Sequence, residues 1–122
     1  MTIYAGLDVG STTGKVVLLN EKEGILGWSV VKSSHGPQAT ADAAMKKAKK
    51  MAGIAEEEKP VYMVATGYGR LNVVGVDEDI SEISCHARGA VHVNPAVQTI
   101  VDIGGQDLSL IHISEPTRPI SI

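Results

Sequence analysis

Residues 8–15 read D-V-G-S-T-T-G-K, and the fold turns on whether a helix or a strand comes next. A phosphate-binding P-loop needs G-x-x-x-x-G-K-[ST] and then a helix. Here three residues separate Gly10 from Gly14, and Val16 stands where the hydroxyl residue belongs. The next residues, K-V-V-L-L at 15–19, are a β-branched and aliphatic run that reads as a strand. A dinucleotide fingerprint also fails, for there is no G-x-G-x-x-G. What remains is a hairpin turn with an acid at the end of its first strand.

Working outward, Ile3–Val9, Lys15–Leu19 and Ile25–Lys32 predict three short strands joined by G-S-T-T-G and N-E-K-E-G. Turns this tight favour antiparallel neighbours. H-G-P at 35–37 breaks the chain. A helix is predicted over 39–52, where Ala41, Ala44, Met45, Ala48, Met51 and Ala52 recur at helical spacing before Gly53. Lys46, Lys47, Lys49 and Lys50 read better as a solvated face than as a site for an anion. Val61–Thr66 predicts a further strand, and 72–79 a short irregular or extended segment. Asp79 or Ser81 can cap a helix over about 80–92, and Gln98–Ile103 predicts a last strand. The pattern is an α/β fold on a mixed sheet with flanking helices.

The 122 residues suit one small domain or part of a larger one. With one Trp, three Tyr and no Phe, the core must be aliphatic. A net charge of −3 leaves no basic footprint for nucleic acid. No apolar run approaches the length of a membrane span, and the N-terminus has no signal-peptide pattern. A lone cysteine without an export signal points to a reducing cytoplasm.

The hairpin can carry chemistry. Gly10, Ser11, Thr12 and Thr13 are small enough for main-chain N–H groups to face a phosphate, Lys15 adds a positive charge, and Asp8 can hold Mg²⁺ through water. A plain hairpin is an equal reading of that turn alone. The pattern returns in V-D-I-G-G-Q-D at 101–107, where Asp102 ends a strand before Gly104, Gly105 and Gln106. Two such loops can grip one nucleotide from two directions, and phosphoryl transfer needs mostly positioning and charge neutralisation. A third loop, A-T-G-Y-G-R at 65–70, stands open between structural turn and functional loop.

Cys85, in I-S-E-I-S-C-H-A-R-G at 80–89, is the only cysteine. On a helical wheel Ile80, Ile83, Ala87, Ala90 and Val91 share a face, and Cys85 lies roughly opposite. Gly89 sits one turn on and leaves room for a bulky object. A buried core cysteine is the bland alternative; an outward thiolate is the sharper one. His86 reads as a surface residue or a neighbour of the site rather than a ligand.

G-L-D-V-G-S-T-T-G-K, A-T-G-Y-G-R, I-S-E-I-S-C-H-A-R-G-A and V-D-I-G-G-Q-D occur in this order over residues 1–107. In this the chain resembles the ATP-dependent activators of 2-hydroxyacyl-CoA dehydratases and, beyond them, subunits of benzoyl-CoA reductases. The resemblance implies the N-terminal half of a ribonuclease H-like, actin-type ATPase domain. It implies ATP and Mg²⁺ at Asp8 and Asp102. It also implies a homodimer with a bridging [4Fe-4S] cluster, for which Cys85 would be one ligand. Hydrolysis would drive one low-potential electron, received from a flavodoxin or ferredoxin, to the partner dehydratase or reductase. A second cysteine, expected downstream of G-G-Q-D, has no counterpart here. A small-molecule or sugar kinase would share the phosphate loops without needing S-C-H-A-R-G. A non-catalytic actin-like binding module is the third reading. Residues 108–118 resemble a translated sequencing adapter, so 108–122 is expected to be a non-native tail after a native 1–107. The alternative is a genuine terminal strand and turn.

Overall fold

The computed structural model describes residues 2–96, 99–103, 108–112 and 118–121, with the main chain alone beyond residue 96. It divides into two compact units, Met1–Asp79 and Ile80–Ile122. In the first, β1 (Tyr4–Val9), β2 (Thr13–Asn20) and β3 (Gly24–Lys32) form an antiparallel meander. Gly14 lies inside β2, so the P-loop reading is excluded. Helix α1 (Pro37–Ala52) returns the chain, and β4 (Tyr62–Thr66) pairs parallel to β1. A 3₁₀ turn at Arg70–Asn72 leads to the two-residue β5 (Glu78–Asp79), and the sheet order is β3-β2-β1-β4-β5. The hydroxyl of Tyr62 donates to Glu78 at 3.2 Å, which ties β5 to β4 and holds that phenol protonated above its usual range.

One sheet face packs on α1. Ala5, Leu7, Val9, Val16 and Leu18 point to it and meet Ala41, Ala44 and Ala48. The helix sits close because β3 offers Gly27, where a Cβ would stand 2.8 Å from the Ala48 carbonyl oxygen. The buried hydroxyl of Ser29 donates to the Ala44 carbonyl. The opposite face carries Leu19, Ile25, Trp28, Val30 and Tyr62, all exposed.

The helix begins at Pro37, two residues before the predicted 39. Proline's fixed φ suits the first helical position, and the N–H it lacks would have had no partner there. Gly53, with φ +72°, ends the helix as expected. Lys49 departs from the solvated face: it is only 8% exposed. Its Nζ donates to the Glu56 carbonyl at 2.9 Å, so the loop after α1 folds back over it. Met51, expected on the apolar stripe, is exposed, although its sulfur accepts from the main-chain N–H of Trp28.

In the second unit α2 (Glu82–Val93) precedes an antiparallel sheet of β6 (Thr99–Ile103), β7 (Leu108–His112) and β8 (Arg118–Ser121). Of the two candidate caps, Ser81 is the one used. Its φ and ψ are extended, and its hydroxyl accepts from the Ser84 N–H at 3.4 Å. Ser81→Ala is expected to cost the helix about 1 kcal/mol. Amide exchange at Ser84 should then quicken about fivefold; an unchanged rate would show that the contact caps nothing.

Candidate functional site

Asp8 is the penultimate residue of β1, and its cross-strand neighbours are Lys15 on β2 and Thr66 on β4. Directly paired residues share a sheet face, so these three side chains emerge together, on the side away from α1. Lys15 Nζ stands 3.4 Å from Asp8 Oδ2, with the two side chains 48% and 28% exposed. At that distance and exposure the pair is worth about 1 kcal/mol at most. Its lysine is therefore cheap to redirect towards a more strongly charged anion.

Gly10 to Thr13 form the turn beside this pair. The Gly10 N–H donates to the Thr13 carbonyl at 2.8 Å. Ser33 braces the turn from β3's far end, its N–H donating to Thr12 O at 2.9 Å and its hydroxyl to Gly10 O at 3.2 Å. The carbonyls of Gly10, Thr12 and Thr13 are thus engaged. The Ser11 and Thr12 N–H groups have no acceptor among the described residues, and Ser11 and Thr12 are both exposed. Adjacent N–H groups next to a lysine make a small anion cradle.

The loop after β4, left undecided by the sequence, closes on this site. Gly67 has φ +94°, and a Cβ there would lie 2.5 Å from the Val9 carbonyl oxygen and 2.6 Å from Asp8 Oδ1. The Gly69 N–H donates to that same Val9 carbonyl at 2.8 Å. Arg70 fastens the loop, its Nη1 donating to Gly67 O at 3.1 Å while its Nε faces Asp79 Oδ2 at 3.8 Å. Thr66 enters beside Asp8 with 7% exposure, and its hydroxyl has no hydrogen-bond partner among the described residues. The sequence offered Thr66 only as part of a loop left open between structural turn and functional loop. The signal was available in the motif, but only the parallel β1–β4 register puts it next to Asp8.

The other predicted residues lie in the second unit. Cys85 is half-buried on α2, not fully outward, and its main-chain N–H donates to Ser81 O at 3.1 Å. One turn on, Gly89 is exposed, and a Cβ there would meet nothing within 4 Å. Asp102 is in β6, opposite Ser109 of β7. Gly104, Gly105 and Gln106 fall outside the described residues, as does the side chain of His86. Among the described residues no three His, Cys, Asp or Glu gather as metal ligands. A single carboxylate such as Asp8 can meet a divalent cation through its water shell.

An acid ending the central strand, a small-residue hairpin beside it and a 3-2-1-4-5 mixed sheet define a lobe of the actin-type ATPase class. The chain belongs to the BadF/BadG/BcrA/BcrD ATPase family, whose pattern matches residues 5–119. It is 43% identical over 113 residues to the activator of lactoyl-CoA dehydratase from Anaerotignum propionicum, covering 90% of this chain and 42% of that protein. Among solved structures, it is similar to component A of (R)-2-hydroxyglutaryl-CoA dehydratase from Acidaminococcus fermentans. That match has a TM-score of 0.83 at 36% identity and covers 96% of this chain and 45% of the other. The activator of 2-hydroxyisocaproyl-CoA dehydratase from Clostridium difficile, solved with bound ADPNP, matches with a TM-score of 0.81 at 34% identity, covering 98% and 46%. The chain spans less than half the length of these relatives. No helix among the described residues is long and apolar enough to cross a membrane.

Proposed function

We propose that this chain is part of an ATP-hydrolysing activator that passes one low-potential electron to a 2-hydroxyacyl-CoA dehydratase or a benzoyl-CoA reductase-type partner. The observation that carries the reading is the site at the β1 end, where Asp8 pairs with Lys15 beside the turn of residues 10–13 and the Gly67 loop closes on Asp8 and Val9. Membership of the ATPase family supports it, and so do the activators named above.

In this reading the N–H groups of Ser11 and Thr12 hold phosphate oxygens. Lys15 leaves Asp8 to neutralise them, and Asp8 orients the water shell of Mg²⁺. Asp102, with Gly104, Gly105 and Gln106 after it, is read from the sequence as a second phosphate-binding turn. Cleaving the terminal phosphate provides the driving force for electron transfer. A [4Fe-4S] cluster bridging two subunits would carry that electron. This chain fits it only in part, offering the single thiol of Cys85 beside the open space at Gly89, where a cluster is held by four such ligands. A flavodoxin or ferredoxin is the donor class, and the cytoplasm the setting. Residues 108–122 are read as a non-native extension of a native 1–107.

The test uses the full-length gene product, purified without oxygen. It should bind ATP and contain iron with acid-labile sulfide. Cys85→Ser should lose the iron and sulfide while binding ATP as before, because none of the residues assigned to the nucleotide belongs to α2. A wild-type protein that binds ATP without iron would move the assignment to a kinase. A variant that keeps its iron would remove Cys85 as a ligand.

A further inference from the structure

We propose that Thr66 is a further side chain of the nucleotide site, its hydroxyl holding a water of the hydrated divalent cation that accompanies the phosphates. This rests on the nucleotide reading of the Asp8 site and assigns that site a residue on a third strand.

A buried hydroxyl without a partner loses about 1–3 kcal/mol against one that is hydrogen-bonded. Thr66 carries that cost in the described structure, with its Oγ1 out of solvent and unpartnered. Valine has the same branched shape, suits a strand equally well and would carry no such cost. A buried hydroxyl that the chain leaves unsatisfied calls for a water or a ligand at this position.

Position narrows what the partner is. Thr66 and Asp8 are paired in the parallel β1–β4 register and share a face. Adjacent strands are about 4.8 Å apart, and hydrogen bonds between oxygens run about 2.8 Å. A single water set between the carboxylate and the hydroxyl can bond to both. The surroundings favour cation-bound water over a phosphate oxygen, since Asp8 would repel a phosphate placed as close. Lys15 lies on the Oδ2 side of Asp8 and the Gly67 main chain on the Oδ1 side. Once Lys15 turns to the phosphates, Oδ2 is released, and Thr66 is the strand neighbour that stays beside the carboxylate. A water trapped there without any cation would also satisfy the hydroxyl, and the experiment separates the two.

ADP binding is measured by calorimetry on the full-length gene product, with Mg²⁺ and again with Mg²⁺ chelated, for wild type, Thr66→Val and Thr66→Ser. The expected result is an affinity for MgADP about tenfold lower in Thr66→Val, unchanged affinity for metal-free ADP, and recovery in Thr66→Ser. The melting temperature of Thr66→Val should be no lower than wild type, because valine removes the unpartnered hydroxyl. Equal MgADP affinity in Thr66→Val and wild type would overturn the proposal and leave Thr66 with a structural water only. An equal loss with and without Mg²⁺ would overturn it too, as would failure of Thr66→Ser to recover. If the wild type binds no ADP at all, the nucleotide reading itself falls, and the role of Thr66 falls with it.

Discussion

Gly67→Ala is expected to destabilise the first unit by about 3 kcal/mol, summing a backbone forced to positive φ and overpacking against fixed atoms. The φ of +94° is the smaller part. The larger part is what the new methyl group meets: the Val9 carbonyl at 2.5–2.7 Å and Asp8 Oδ1 at 2.6 Å. The Val9 main chain pairs with Gly14 on β2 and accepts from the Gly69 N–H, so it cannot yield without disturbing both contacts. Gly53 provides the control, with φ +72° and nothing within 4 Å of an added Cβ. Gly53→Ala should show the conformational cost alone, about 1 kcal/mol. Urea unfolding followed by circular dichroism measures both. Equal losses at the two positions would mean that the Gly67 loop does not rest on β1.

The second large effect is expected at Leu18. Its side chain is 0% exposed and sits on β2 under α1. Leu→Ala in such a place costs about 2–5 kcal/mol, more where the surroundings cannot collapse into the gap. Collapse is limited here, because the buried residues that α1 brings to this core are small, with Ala41, Ala44 and Ala48 among them. Small domains hold about 5–15 kcal/mol in total, so Leu18→Ala should remove a large share. The same urea titration reads it, and a loss below about 1 kcal/mol would show that Leu18 is not the centre of the core.

The hairpin was legible because its signals are local. Runs of Val, Leu and Ile broken by small or polar residues need no tertiary information to read as β1 to β3. Helix α1 was legible from its alanine spacing, but its first turn was hidden by Pro37, which breaks a chain in one context and opens a helix in another. The burial of Lys49 was hidden because a long side chain can turn back to a carbonyl seven residues on, which no wheel displays. The site divides in the same way. Asp8 and its turn announce themselves in one stretch. Thr66 and Gly67 join them only when β4 inserts parallel to β1, a pairing set by topology rather than by neighbours in sequence. For Cys85, helix geometry alone gives a position opposite the apolar stripe, and the half-burial found there is a property of its surroundings.

The bare face of the first sheet gives the protein a built-in optical probe. Trp28 is the only tryptophan, and it lies 53% exposed on that face among Leu19, Ile25 and Val30. Its emission already comes from an indole half in water, so chain unfolding changes its surroundings less than it would for a core tryptophan. Covering the face would change them far more, shifting the emission to shorter wavelength as water leaves the ring. Nucleotide contacts at the turn fall on other residues. The fluorescence of this chain is therefore a weak gauge of denaturation and a sensitive one of whatever comes to lie on β2 and β3.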